Sequence, residues 1–182
     1  MTQDKVLYVH QFTARKKDNP ELDLDVRKNF VSDKLSQPKE FEAFCQKYQG
    51  FTCRYYRALN GRRESKVKRD LIAHMVLHPD FNLTQLNGLA RRFTANAGVD
   101  TDTRRWLFDF DSPDETYFQE FVKDLTENYY QGDYQAYPTL NGFHLVTEKG
   151  FYKAEELVAK YQDVLEFKRT DAMVLVDYRL NH

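Results

Sequence analysis

The sequence predicts an α+β protein built from two modules, and three observations lead to this class. Segments with strand and helix periodicity alternate along the 182 residues. The composition, with 41% hydrophobic and 30% charged residues, is that of a folded globular protein rather than a disordered one. Near residues 100–103 a basic, helix-rich part gives way to a part in which strands and helices alternate. We therefore expect modules at 1–103 and 104–182, packed as one compact body.

The first module is predicted to be a basic α/β unit. Its segment SQPKEFEAFCQKYQG predicts an amphipathic helix, because Phe41, Phe44 and Tyr48 recur at helical spacing. Pro79 is expected to end a following helix, and Asn82 or Thr84 to cap the next one. The module's elements in chain order are a strand in KVLYVHQFTA, a polar connection in KKDNPELDLDVRKNF, the SQPKEF helix, a strand in FTCRYYRALN, and helices in ESKVKRDLIAHMVLHP and NLTQLNGLARRFTANAG.

The second module is predicted to have the element order β-α-β-β-α-β followed by one extra strand. Its segments are RRWLFDFD, DETYFQEFVKDLTENYY, a hairpin of YQAYP and FHLVT, then FYKAEELVAKY, DVLEFKR and the extra strand DAMVLVDYR. This is the order of the ferredoxin-like, or RNA-recognition-like, fold. In that fold the first and third strands are neighbours at the centre of the sheet, so WLFDFD and FHLVT are expected to pair.

Alternation along WLFDFD divides this strand into an apolar face and an acidic face. Trp106, Phe108 and Phe110 share the first face. Asp109 and Asp111 share the second, so both carboxylates can reach one hard divalent cation, for which Mg²⁺ or Mn²⁺ is suited. The competing interpretation is that the two acids only end a strand in solvent.

Two further residue types complete the predicted constellation. The turn and strand TLNGFHLVT place His144 beside the aspartate strand, where it could hold a phosphate or orient a metal ligand. A histidine of this kind, taken alone, is more often a structural residue. A third acid is expected from Asp177 in VLVDYR or Asp171 in KRTDAM, with a slight preference for Asp177 at the end of an apolar run.

The order of these segments resembles the three motifs of the archaeo-eukaryotic primase superfamily, the primase-polymerases. Those motifs are an apolar strand ending in DxD, a turn followed by a strand with a histidine, and an apolar strand ending in an aspartate. Here they are represented by WLFDFD, TLNGFH and VLVD, and the resemblance covers about residues 104–179. It extends to CRYYRALNGR, which is similar to an arginine-bearing strand of the N-terminal module in that family.

The resemblance implies a minimal or divergent metal-dependent nucleotidyltransferase in which a 3′-hydroxyl attacks a nucleoside triphosphate. Metal ligands by this resemblance are Asp109, Asp111 and Asp177, holding Mg²⁺ or Mn²⁺. Contacts to the incoming nucleotide are implied for His144, Asn141, Arg54 and Arg57. The implied partners are a single-stranded template or primer-template, the nucleoside triphosphate, and a separate helicase or replication protein.

Positive charge is concentrated before residue 106, although the whole chain has 27 Lys and Arg against 28 Asp and Glu. The near-neutral sum excludes a generally basic nucleic-acid binder, so contacts to a nucleic-acid backbone must come from a local patch. Solvated helix faces are the competing interpretation of these charges. The nucleic-acid-binding candidates are Arg62, Arg63, Lys66, Arg69 and Arg105.

Two other functions fit the same sequence. One is a non-catalytic RNA-recognition-like binding module, in which Trp106, Phe108 or Phe143 would stack on bases. Asp109 and Asp111 count against it, since they repel phosphates unless a cation neutralises them. The other is a metal-dependent nuclease or a phage-type replication accessory protein, because carboxylate clusters serve hydrolysis as well as synthesis.

The sequence also predicts a cytoplasmic protein without a membrane partner. No uncharged apolar run approaches the roughly 18 residues that a membrane-spanning helix needs. The segment MTQDKVLYVHQF lacks the order of charged and then apolar residues that is typical of a secretory signal.

Overall fold

A computed structural model describes residues 4–97, 104–148, 153–169 and 172–181. Within them the protein is α+β, with two antiparallel sheets and five α-helices, which confirms the predicted class. The strands are β1 Val6–Ala14, β2 Val26–Ser32, β3 Cys53–Ala58, β4 Arg62–Arg63, β5 Trp106–Phe110, β6 Tyr134–Pro138, β7 Phe143–Thr147, β8 Leu165–Lys168 and β9 Met173–Arg179. The helices are α1 Pro38–Lys47, α2 Glu64–Leu77, α3 Leu86–Asn96, α4 Glu115–Asp124 and α5 Ala154–Lys160.

The chain divides into two compact units. Unit 1 comprises Met1–Val99 and Met173–His182, and unit 2 comprises Asp100–Ala172. The predicted boundary at residue 103 is close to the first break between the units. The predicted second module, in contrast, extended to residue 182, whereas β9 belongs to unit 1.

Unit 1 is a sheet with the strand order β2-β1-β3-β9, and β4 pairs with the start of β1. Alternate residues of β1 and β3 are buried against α1, as the amphipathic pattern of this helix requires. Phe12 is central to this core, with its ring 5.3 Å from Phe41 and 4.8 Å from Tyr55. After α2 the side chain of Asn82 accepts a hydrogen bond from the Thr84 amide, which confirms the predicted cap.

Two strands of unit 1 differ from the sequence-based expectation. The segment predicted as a polar connection contains β2, an edge strand whose middle residues Lys28 and Asn29 are exposed. Edge strands commonly carry charged and polar side chains, which hides the apolar alternation used to recognise them. The last strand, β9, pairs with β3 because Val176 packs against the core of unit 1 and Val174 is buried.

Unit 2 is a sheet with the strand order β6-β7-β5-β8, in which every neighbouring pair is antiparallel. Its core is formed by alternate residues of the central strands and by apolar residues of both helices. Phe108 and Phe110 of β5 pack there against Phe121 of α4, together with Leu157 of α5. Asp114 caps α4 by accepting a hydrogen bond from the Tyr117 amide at 3.1 Å.

No helix within the described ranges is both long enough and apolar enough to cross a membrane.

Candidate active site on the sheet of unit 2

Asp109 and His144 lie directly opposite each other on the paired strands β5 and β7. His144 Nε2 is 3.3 Å from Asp109 Oδ1. The two side chains meet because Phe108 and Phe110, which alternate with Asp109, are buried in the core on the other face of the strand. The predicted pairing of the DFD strand with the histidine strand is therefore confirmed.

Two residues of β8 belong to the same cluster and were missed by the sequence analysis. Glu166 is directly opposite Asp109 in the pairing of β5 with β8. Lys168 Nζ is 2.7 Å from Asp109 Oδ2 and 3.1 Å from Glu166 Oε2. The alternation of Glu166 and Lys168 in LEFK is the signal that could have found them, once this strand is paired with β5.

Hydrogen bonds keep the Asp109 carboxylate ionised despite its burial. Burial raises the pKa of Asp109, but the hydrogen bonds and charges of His144 and Lys168 lower it more, to about 2. For Lys168, burial lowers the pKa, and the hydrogen bond and charge of Asp109 raise it above its usual value. At neutral pH the cluster therefore contains a carboxylate bound to an ammonium group.

Asp111 follows β5 directly and is exposed. Its backbone N–H donates to the carbonyl oxygen of Val164 at 2.7 Å, which ties this end of β5 to the segment preceding β8. Within the described ranges, no group of three or more His, Cys, Asp and Glu side chains is arranged to hold a metal ion. Of the three residues predicted as metal ligands, Asp109 and Asp111 lie near the same end of β5.

The turn between β6 and β7 approaches the same strand end closely. Asn141 is exposed in this turn, and the Thr139 amide donates to the Gly142 carbonyl at 2.7 Å. A Cβ atom at Gly142 would overlap the carbonyl oxygen of Phe110 and lie 2.8 Å from the amide nitrogen of Ser112. Glycine is required here because the turn lies against the backbone on either side of Asp111.

Of the other predicted acids, Asp177 lies in the sheet of unit 1. Asp177 is exposed on β9, opposite Tyr55 in the sheet of unit 1, and its Oδ1 accepts a hydrogen bond from the Tyr178 amide at 2.8 Å. The expectation that its strand adds to the module of Asp109 is wrong, because β9 pairs with β3. Asp171 lies outside the described residues.

The arginines predicted to bind the nucleotide lie on β3 and already have protein partners. The side chain of Arg54 is only 5% exposed, and its Nη2 is 2.5 Å from Asp18 Oδ1. Asp18 also binds Arg15 at 2.9 Å. Arg57 donates to the carbonyl oxygen of Leu35 at 2.6 Å and covers the ring of Tyr8.

The predicted nucleic-acid-binding residues differ in accessibility. Arg62 is buried, and its guanidinium donates to the carbonyl oxygen of Asn60 at 2.8 Å. Arg63 and Arg69 are exposed, whereas Lys66 and Arg105 are half-buried. Arg62 is therefore not available to contact a nucleic-acid backbone.

Two of the three aromatic residues expected to stack on bases in a binding module, Phe108 and Phe143, pack on the helix side of the sheet. Phe108 is fully buried, and Phe143 stacks on Phe118 of α4 with ring centroids 4.3 Å apart. Trp106 is half-buried. On the face of Asp109, the ring next to His144 is Tyr137, at 5.5 Å.

No family model matches the chain, and no curated protein and no solved structure matches it. The residues of the site are therefore the basis for assigning a function.

Proposed function

We propose that the protein is a metal-dependent nucleotidyltransferase of primase-polymerase type that acts on nucleoside triphosphates and a nucleic-acid template. The observation that carries this proposal is the contact of Asp109 with His144 at 3.3 Å across neighbouring strands. It brings the first two motifs of the resemblance into a single cluster on one sheet face.

The proposal includes an RNA-recognition-like, or ferredoxin-like, fold for unit 2. Three features support it. The element order is β-α-β-β-α-β, the strand order is β6-β7-β5-β8, and residues of α4 and α5 share one core with the sheet. The opposite face carries Asp109 and His144, next to the buried apolar side chains of Leu107 and Val146.

Mg²⁺ or Mn²⁺ is the proposed cofactor of this face. The proposal is supported by the ionised carboxylate of Asp109, by Asp111 two residues further along the chain, and by Glu166 opposite Asp109. Mg²⁺ is commonly bound through one or two carboxylates, with waters and substrate phosphates as its other ligands, so a cage of three protein ligands is not needed. When bound, the ion would polarise the attacking and leaving oxygens of the transfer.

His144 is suited to contact the phosphates of the nucleotide. Its Nε2 is held by Asp109, which orients the ring. Its Nδ1 is buried and makes no hydrogen bond to any described part of the chain. Because Nε2–H is donated to Asp109, Nδ1 would donate to a phosphate oxygen only when both ring nitrogens carry a proton.

The template is proposed to bind through exposed basic side chains of unit 1. Arg63 on β4 and Arg69 on α2 are exposed and can contact phosphates. Arg54 pairs with Asp18 and Arg62 donates to the carbonyl oxygen of Asn60, so we propose that both stabilise unit 1 rather than bind the template. A separate helicase or replication protein remains the proposed protein partner.

The experiment is the incorporation of labelled nucleoside triphosphates on a single-stranded template with Mn²⁺. We expect Asp109→Asn to lower incorporation by at least about 100-fold, since removal of a metal-binding charge affects the transfer step directly. Asp124→Asn is the matched control, because Asp124 also pairs with a lysine in unit 2 but lies on α4. Cleavage of the template instead of synthesis would replace this proposal by the nuclease alternative.

A non-catalytic nucleic-acid-binding module is the second candidate, and one observation favours it. The ammonium of Lys168 already neutralises part of the acidic face, which lowers its repulsion of phosphates. Binding of single-stranded nucleic acid that persists fully in a chelator, without incorporation, would support this candidate.

A further inference from the structure

The two cysteines of the chain, Cys45 and Cys53, meet in the core of unit 1. Cys45 lies in the last turn of α1, and Cys53 is the first residue of β3, on the face of this strand that packs against α1. Their thiols share a hydrogen bond, so the two sulfur atoms are in contact. Oxidation to a disulfide would therefore join two atoms that are already neighbours.

The two thiols differ in their access to solvent. Cys53 is fully buried, whereas Cys45 is partly exposed and lines an open cavity of about 400 Å³ on the surface of unit 1. The other side chains that line this cavity are those of Glu42, Gln46, Gln49 and Arg179. A small molecule that enters the cavity reaches the sulfur of Cys45 but not that of Cys53.

Arg179 gives this cavity a preference for an anion. It is directly opposite Cys53 in the pairing of β3 with β9, and its Nη2 lies 3.2 Å from Glu42 Oε2. Both side chains of this ion pair are at least half exposed, and ion pairs of this kind contribute little to stability. A carboxylate of an entering molecule can therefore replace Glu42 at the guanidinium, and the amides of Gln46 and Gln49 offer further hydrogen bonds.

Burial keeps both thiols protonated and slow to react. It raises the pKa of Cys45 to about 12, and it raises the pKa of Cys53 as well. The charges that line the cavity act in opposite directions, since Glu42 raises the pKa of Cys45 and Arg179 lowers it. Because the thiolate is the nucleophile, the pair stays reduced unless an oxidant is held beside it.

We infer that Cys45 and Cys53 form a reversible disulfide when a small anionic disulfide, the oxidised form of a carboxylate-bearing thiol, binds beside Arg179. Cys45 loses its proton and attacks one sulfur of the bound disulfide, which forms a mixed disulfide and releases one thiol. Cys53 then loses its proton and attacks the sulfur of Cys45, which forms the bond between the two cysteines and releases the second thiol. The protein gives up two protons and two electrons, and these convert the small disulfide into two thiols. This inference does not depend on the proposed function.

The test is incubation of the full chain with glutathione disulfide, followed by mass spectrometry of the intact protein and a count of free thiols in denaturant. We expect the wild type to lose two hydrogen atoms and both free thiols without keeping a glutathionyl group. The new bond should raise the melting temperature by about 5 °C, and reduction with dithiothreitol should reverse both changes. A wild type that keeps both thiols, or that carries a stable glutathionyl group, would overturn the inference.

Variants of the two cysteines separate the two steps. We expect Cys53→Ser to retain one glutathionyl group, because the mixed disulfide at Cys45 then has no second thiol to resolve it. Cys45→Ser should stay unmodified, because Cys53 is fully buried. Modification of Cys45→Ser at the wild-type rate would show that the first attack comes from Cys53 and would contradict entry through the cavity.

Arg179→Gln tests the binding of the anionic oxidant. We expect its reaction rate with glutathione disulfide to fall about fivefold more than its rate with the uncharged hydroxyethyl disulfide, because only the first oxidant has carboxylates that bind a guanidinium. Lys47→Gln is the matched control, since Lys47 is a cation of the same helix as Cys45 but covers the ring of Tyr48. It should react with both disulfides as the wild type does. Equal losses with both disulfides in Arg179→Gln would overturn the assignment of Arg179 as the anion site.

Discussion

Unit 2 contains two aspartate–lysine pairs of nearly equal length in different surroundings. Asp109 and Lys168 are 2.7 Å apart on the sheet, and Asp124 and Lys160 are 2.6 Å apart on the helices. Asp124 also accepts hydrogen bonds from neutral groups, the amide of Asn128 and the hydroxyl of Tyr161. Lys168, in contrast, binds a second carboxylate, and Asp109 binds an imidazole.

This difference separates a pair that ties two helices together from a cluster in which one lysine pairs with two carboxylates. Lys160 of α5 and Asp124 of α4 neutralise each other, and Lys160 is 57% exposed. At the sheet, one ammonium serves two carboxylates, so negative charge remains in excess. The distance within an ion pair therefore says less about its role than the charges of the groups around it.

The largest expected effect is on the free energy of unfolding. It arises where the turn before β7 lies against the backbone at the end of β5, next to Asp109. Gly142→Ala should destabilise the protein by about 3 kcal/mol, because its Cβ would overlap the Phe110 carbonyl and neither backbone segment can move freely. Urea unfolding measures this change. Gly88→Ala is the control, since Gly88 lies in the first turn of α3 and nothing is within 4 Å of a Cβ there. It should not lower the free energy of unfolding, and a cost below about 1 kcal/mol at Gly142 would contradict the described packing.

The next effect is a pH dependence of stability at Asp109. Its pKa is lowered in the folded chain from 3.8 to about 2, so its contribution is fully present above pH 3.8 and is lost as the pH falls towards 2. The shift corresponds to about 2 kcal/mol. The stability difference between wild type and Asp109→Asn, from urea unfolding, should shrink by about this amount between pH 6 and pH 2. A difference that stays constant with pH would show that Asp109 is not held by Lys168 and His144.

The smallest expected effect is a difference in stability between variants of the two lysines, Lys168 and Lys160. Lys168→Met should lower the free energy of unfolding by about 1 kcal/mol, because it leaves a mostly buried carboxylate with one partner fewer. Lys160→Met should cost less, because Asp124 keeps hydrogen bonds from Asn128 and Tyr161. Asp109, in contrast, keeps only the one from His144 within the described residues. Equal losses in both variants would remove the distinction between the two pairs.

Local patterns in the sequence were sufficient to predict most of the helices and strands of unit 2. The helical spacing of Phe118 and Phe121 marks α4, and alternation along WLFDFD assigns Asp109 to the face opposite the core. The pairing of β5 with β7 followed from element order, and it placed His144 beside Asp109. Such features depend on periods of two or 3.6 residues, which are visible within a single segment.

The remaining features depend on contacts between distant segments. Lys168 reaches Asp109 only through the pairing of β8 with β5, and β9 was assigned to the wrong sheet because its apolar run does not specify a partner. Arg54 was expected to bind phosphate, yet it pairs with Asp18 in another part of unit 1. An isolated charged residue in the sequence cannot reveal whether its counter-charge is a ligand or a side chain of the same protein.

The most direct test of the proposed site is a crystal structure of the protein soaked with Mn²⁺ and a non-hydrolysable nucleoside triphosphate. The anomalous signal of manganese locates the ion independently of how the side chains are built. We expect a peak in contact with the Asp109 carboxylate. An ordered site without a manganese peak, in which Lys168 still binds Asp109, would contradict the proposed metal site.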